Sequence, residues 1–231
     1  MLEYYMPQAS SYAADIDNLV WLVTILVGFW FIAAEGMFFY LIFKYRRKEG
    51  VAAEYVTGDE HELKRWIHWP HWLIIFCDIF IIWGAVRVWK DIKQDIPEVV
   101  DAEIRIVAQQ WAWSFVHPGA DGVLDTADDI KTVDELRVEN GKTYTYRLEA
   151  RDVLHDFSVP AFRLKQDAIP GRVITGWFKP ILPGRYDIQC AEICGIGHGI
   201  MGGYVIVDDA EQHAAWIREN SPTKVASAIG E

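Results

Sequence analysis

Between residues 190 and 201 the chain reads CAEICGIGHGIM, which puts Cys190, Cys194, His198 and Met201 in the spacing C-x3-C-x3-H-x2-M. Two of the three cysteines of a 231-residue chain stand here, beside two more side chains able to hold a metal. In an oxidising compartment the plainest fate of two such cysteines is a disulfide. Zinc is a second reading, because thiolate and imidazole are its usual ligands. Methionine counts against zinc: a thioether is a soft, weak ligand of copper electron-transfer sites, which combine thiolate, imidazole and a long axial sulfur. A missing histidine must then come from another strand, and His155 in VLHDFSVP is the candidate. Two cysteines four apart could bridge two copper ions, leaving one histidine to each. Met201 and the backbone carbonyl of Glu192 would complete the two shells, with the Glu192 carboxylate free for a hard cation. Ligands held stiffly need not rearrange when the charge changes, so such a site moves single electrons.

That stiffness must come from the surrounding chain. Past Lys90 the sequence breaks into short alternating runs: 103–108, 111–116, 135–139, 143–150, 172–178, 184–190 and 202–208. Short strands at this spacing, with no helical period between them, predict an all-β sandwich or Greek-key barrel over 97–210. Residues 117–130 read as a polar turn, in which Asp121, Asp125, Asp128 and Asp129 offer hard oxygen ligands to calcium. Their spacing is not that of an EF-hand, which favours a plain solvated hairpin. Residues 211–231 predict a short helix and a frayed tail.

The first ninety residues are of a different kind. Leu19 to Phe43 is an apolar run with one charge, Glu35, and Trp66 to Trp89 is a second carrying Asp78 and Arg87. A span needs about 20 mostly apolar residues, so two transmembrane helices are expected, 19–43 and 66–89. Tryptophans 66, 69, 72, 83 and 89 fall where interfacial aromatic belts belong. Lys44, Arg46, Arg47, Lys48, Lys64 and Arg65 lie between the spans, which places the 44–65 loop in the cytoplasm. The 1–18 segment, the 90–96 linker and everything beyond it are then extracytoplasmic. Residues 91–231 hold 23 acidic against 14 basic side chains, a net charge near −9. That balance disfavours nucleic acid and would attract a basic soluble partner. Acids inside a span are costly and face protein or water. Glu35 and Asp78 are therefore expected to face each other or a partner subunit, touching a proton path or pairing with a neighbouring helix.

His155 followed by CAEICGIGHGIM, with LKQDAIPGR (164–172) between them and QQWAWSF (109–115) upstream, resembles the binuclear CuA centre and aromatic electron-accepting segment of cytochrome c oxidase subunit II. Two N-terminal spans before a cupredoxin-like domain match that family's architecture too. The resemblance implies that His155 and His198 each bind one copper, that Cys190 and Cys194 bridge both, and that Met201 and the Glu192 carbonyl are outer ligands. It implies a magnesium ion on the Glu192 carboxylate at the contact with a catalytic haem-copper subunit I, among further oxidase subunits. Trp111 would accept the electron from a c-type cytochrome, and Asp152 would lie on the docking face. The chain would sit in a bacterial inner membrane with both termini and the copper domain outside, its electrons serving oxygen reduction coupled to proton translocation.

One departure stands out. The family places a proton-path glutamate shortly before the second span, whereas GDEHELKRWIHWP offers Glu60 and Glu62 in a different register, beside Lys64 and Arg65. His68 and His71 read as interfacial polar groups and Cys77 as a buried packer. Quinol oxidase subunits have lost the copper ligands, and nitrous-oxide reductase lacks the two spans. A copper chaperone or assembly factor, the alternative of a different class, would not need the second histidine, the methionine and the aromatic segment together.

Overall fold

The computed structural model describes residues 6–53 and 55–222, so the tail expected to fray lies outside the described residues. The chain divides into two compact units. One is residues 15–90, and the other joins the N-terminal residues up to Ala14 to everything from Asp91 onward.

The first unit is built on helices α1 (Ala13–Lys44) and α2 (His61–Trp89), followed by a wider π-helical turn at Lys90–Gln94. Both helices are long and apolar enough to cross a membrane, and no residue of either apolar stretch is buried by protein. Ile32 is 71% exposed and Trp69 is 74% exposed, an apolar surface that calls for lipid or partner helices. Each helix starts before its apolar run: six residues earlier in α1, five in α2. Hydropathy marks only what lipid must cover, whereas Asp15 in the first turn of α1 and Glu62 in that of α2 suit the positive end of a helix dipole. The expected 90–96 linker is likewise helical up to Gln94.

The second unit is the expected β-sandwich. Its strands are β1 (Ala102–Gln109), β2 (Ala112–His117), β3 (Ile130–Val133), β4 (Glu135–Glu139), β5 (Tyr144–Ala150), β6 (His155–Val159), β7 (Leu164–Ala168), β8 (Ile174–Phe178), β9 (Gly184–Cys190) and β10 (Gly202–Asp208). They form two five-stranded sheets, β3-β2-β1-β5-β8 and β4-β10-β9-β6-β7. Alternation puts every second residue inside: Leu136 and Val138 in β4, Tyr144, Tyr146 and Leu148 in β5, Tyr186, Ile188 and Cys190 in β9. Trp113, fully buried, meets Phe157 edge-on with centroids 5.3 Å apart, and this aromatic core ends at His155, 6.3 Å away. A strap from the other end of the chain completes the unit. Ala9 N–H donates to the Ala161 carbonyl and Ser11 N–H to that of Lys179, while Ile181 N–H donates to Ala9, each at 2.9 Å.

Two differences from the sequence reading matter, and one loop follows it. Strands β3, β6 and β7 are too short or too polar to stand out by alternation. Trp111, expected within a strand, occupies a two-residue turn, because Gln109 pairs with Ala112. The 117–130 acids do not converge on a common point. Asp125 pairs with Arg105 and Arg147, Asp128 accepts from Thr126 Oγ1 and the Asp121 amide, and Asp129 accepts from two loop amides.

Helix α3 (Ala210–Asn220) closes the domain through a capping box at Asp209 and through Trp216, whose ring lies 5.0 Å from that of His117. Burial, and then the nearby His213, push the His117 pKa from 6.5 down to about 3. Between those values the unfolded chain protonates His117 and the folded domain does not. Its contribution is therefore whole above pH 6.5 and declines as pH falls, by about 1.4 kcal/mol per pH unit. His117→Phe, which keeps a ring on Trp216, is expected to remove this slope, so that the unfolding free energy of wild type minus that of the variant rises with pH across that window, as read by chemical denaturation. Asp156, raised to about 7, slopes the opposite way in both proteins, so their difference isolates His117.

Candidate metal centre

One end of the second sheet brings the sulfur and imidazole groups together. His155 opens β6 and Cys190 ends β9, and these strands pair with Phe157 opposite Cys190. The Cys190 N–H donates to the Met201 carbonyl at 3.1 Å, closing the base of the loop between β9 and β10. A 3-10 turn at His198–Ile200 then folds the loop back. Cys190 Sγ lies 3.7 Å from Cys194 Sγ, 3.9 Å from His155 Nδ1 and 3.2 Å from the Glu192 carbonyl oxygen. Cys194 Sγ lies 3.7 Å from His198 Nδ1 and 3.8 Å from Met201 Sδ. The other four sequence-predicted donors thus surround the Cys190–Cys194 sulfur pair.

The sulfurs are far apart for a disulfide, which needs about 2.05 Å, and both thiols are free. His155 is fully buried, and Cys194 and Met201 are each 2% exposed. Burial, reinforced by the Cys190 sulfur alongside, raises the Cys194 thiol to about 11. Two close buried sulfurs do not ionise together in a bare site, and a soft cation between them would replace the protons. Two thiolates, two imidazole nitrogens and a thioether are the donor set that copper favours. The residues present therefore fit a copper pair.

Asp152, expected on a docking face, is exposed and is also engaged by the site. Its carboxylate lies 2.8 Å from His155 Nε2 and accepts from the amides of Gln110 and Val153, each at 2.7 Å. Partial burial works against its charge, but the bonds from His155, Gln110 and Val153 outweigh it and lower its pKa. Nε2–H donated to Asp152 leaves the Nδ1 lone pair of His155 facing Cys190. Outer partners of this kind typically carry 10- to 100-fold in metal affinity. Asp152→Asn is expected to weaken copper retention by about tenfold, measured by competition with a chelator.

Trp111 lies against the ligand loop. Its Nε1 donates to the Cys194 carbonyl at 3.1 Å, and a methyl group added at Gly197 would stand 2.3 Å from the indole. The loop's outer face is apolar, with Ile193, Ile196 and Ile200 each at least 85% exposed. Asp156, which sequence reasoning passed over, is buried opposite Asp167, and burial followed by that neighbour raises its pKa to about 7, with Glu192 adding to the rise. Its only sequence signal is a charge inside a strand. Glu35 and Asp78 lie on α1 and α2, where each is exposed. Neither makes a hydrogen bond or ion pair among the described residues.

Residues 102–209 match the family profile described as "Cytochrome C oxidase subunit II, periplasmic domain". The alternative cytochrome c oxidase subunit 2 of Bradyrhizobium diazoefficiens is 33% identical over 234 residues, covering 90% of this chain and 80% of that one. Cytochrome c oxidase subunit 2 of Cereibacter sphaeroides is 26% identical, covering 93% and 79%. Among solved structures, the periplasmic domain of subunit II of cytochrome oxidase from Bradyrhizobium japonicum is 28% identical with a TM-score of 0.49, covering 55% of this chain and 96% of that one. Likeness at one third identity along four fifths of a relative's length settles the kinship: this chain belongs to the cytochrome c oxidase subunit II family.

Proposed function

We propose that this chain is the electron-accepting subunit of a membrane-bound haem-copper oxidase. It takes single electrons from a c-type cytochrome near Trp111 and hands them to haem in a catalytic subunit I, where oxygen is reduced to water and protons are translocated. The observation that carries this reading is the convergence of His155, Cys190, Glu192, Cys194, His198 and Met201 on one buried sulfur pair. When bound there, a copper pair supplies a one-electron carrier. Cys190 and Cys194 would bridge it, the two Nδ1 atoms would cap it, and Met201 and the Glu192 carbonyl would be its weak outer ligands.

The chain's own residues do the rest. The β6–β9 pairing fixes His155 against Cys190, so the ligands hold still as charge comes and goes. Asp152 holds the His155 proton on Nε2 and away from the metal side. Trp111 links the outer surface to the Cys194 carbonyl. The Glu192 carboxylate, near Asp156, would offer oxygen to a magnesium ion shared with the catalytic subunit. The cations of the 44–65 loop support a cytoplasmic loop in a bacterial inner membrane, with the sandwich and both termini outside. Glu35 and Asp78, unpaired on the hairpin, would face the catalytic subunit and could line a proton path. A chaperone role gains nothing from family membership or from the added Met201.

The test uses the full chain in detergent, because the strap from Ala9 to Ser11 is part of the sandwich. Loaded with copper alone, it is expected to take up two ions per chain and to give an electron paramagnetic resonance spectrum of one electron shared by both. One isolated copper, or a Cys190–Cys194 disulfide without metal, would refute the reading.

A further inference from the structure

The turn between β1 and β2 touches both loops that carry ligands, and it does so through one residue. Backbone N–H of Gln110 donates to Asp152 at 2.7 Å, the carboxylate that holds His155 Nε2. The side-chain amide of Gln110 leaves on the other side and donates to the Cys194 carbonyl at 2.8 Å. The same carbonyl accepts Trp111 Nε1, so two donors from adjacent residues meet on it. Gly195, next along the loop at φ +116, lies so close that an added Cβ would stand 3.0 Å from the Gln110 amide nitrogen. Residues 191–197 belong to no strand, so sheet pairing does not fix where Cys194 stands relative to His155.

We propose that Gln110 is a positioning residue for the metal centre: it ties the Cys194 loop to the Asp152–His155 loop and so sets the spacing of donors on the two sides of the sulfur pair. This rests on the copper reading above and deepens it. Without the amide, the Cys194 carbonyl keeps one of its two donors, and the ligand loop can drift from His155 while the sandwich beneath stays intact. A neutral hydrogen bond of this kind corresponds to roughly a three- to tenfold change in an equilibrium.

Two substitutions test it in the full chain, with copper as the only added ligand. Gln110→Met keeps the length and loses the donor, and Gln110→Asn keeps the amide but stops one methylene short. Both are expected to bind two coppers and to unfold, copper-free, at the wild-type midpoint. Both should nevertheless release copper to a chelator roughly three to ten times faster and show altered copper hyperfine splitting. Release and splitting equal to wild type in both variants would overturn the proposal. So would a fall in the copper-free midpoint large enough to account for the release, since that would mark a merely structural residue. If the wild-type chain itself binds no copper pair, the proposed function fails; an intact wild-type centre with unaltered variants fails Gln110 alone.

Discussion

Cys194→Ser is expected to remove the paired copper centre while leaving the sandwich folded. Cys194 Sγ stands within 3.8 Å of three of the other donor atoms: Cys190 Sγ, His198 Nδ1 and Met201 Sδ. A hydroxyl in its place is shorter, harder and un-ionised at neutral pH, so it can neither bridge nor hold a soft ion. The chain should then carry at most one copper. Oxidation of a reduced c-type cytochrome by the assembled oxidase should fall at least about 100-fold, beyond the 10- to 100-fold that outer partners alone command. The fold should tolerate the change. Residue 194 lies in a loop outside the strands, and burying a hydroxyl there costs about 1–3 kcal/mol at most. Copper per chain, the resonance spectrum and stopped-flow cytochrome oxidation would be measured together. A variant that kept two coppers and normal oxidation would show that Cys194 does not bridge.

Much of this was legible in the sequence, for physical reasons. Lipid imposes a composition that hydropathy reads directly, so both spans could be found even though the helices extend past them. Cys190, Cys194, His198 and Met201 lie within twelve residues because one loop carries them, and sequence proximity there is spatial proximity. His155 was found as a missing ligand rather than as a neighbour, since only the β6–β9 register brings it to Cys190.

What stayed hidden depends on direction rather than residue type. Asp152 reads only as a docking-face acid until its carboxylate is seen on His155 Nε2. Gln110 reads as an ordinary turn residue until its amide is seen on the Cys194 carbonyl. The N-terminal strap is short and unpatterned, and its partners lie about 150 or more residues away. No local period encodes such a pairing. Consistency across levels therefore located the site, while geometry alone identified what holds it.

Gly197→Ala isolates the role of Trp111. At Gly195 the backbone is left-handed, so any side chain there would be strained before it touched anything. Gly197 differs: its φ of −89 and ψ of 7 are open to alanine, and the nearest obstacle is the indole. An added Cβ would lie 2.3 to 2.7 Å from three atoms of the Trp111 ring wall, so either the ring or the loop must move. If the ring moves, the Nε1 bond to the Cys194 carbonyl breaks, but Gln110, which also reaches Asp152, still ties that carbonyl to the His155 side, and copper loading stays at two. Cytochrome oxidation should then fall by about 100-fold, the scale of a 1 Å misplacement. If the loop moves instead, the resonance spectrum changes, because Cys194 and His198 flank Gly197 on either side. An unchanged spectrum with slowed oxidation would therefore assign electron acceptance to Trp111. An unchanged spectrum with normal oxidation would show that electrons reach the sulfur pair by another route across the loop.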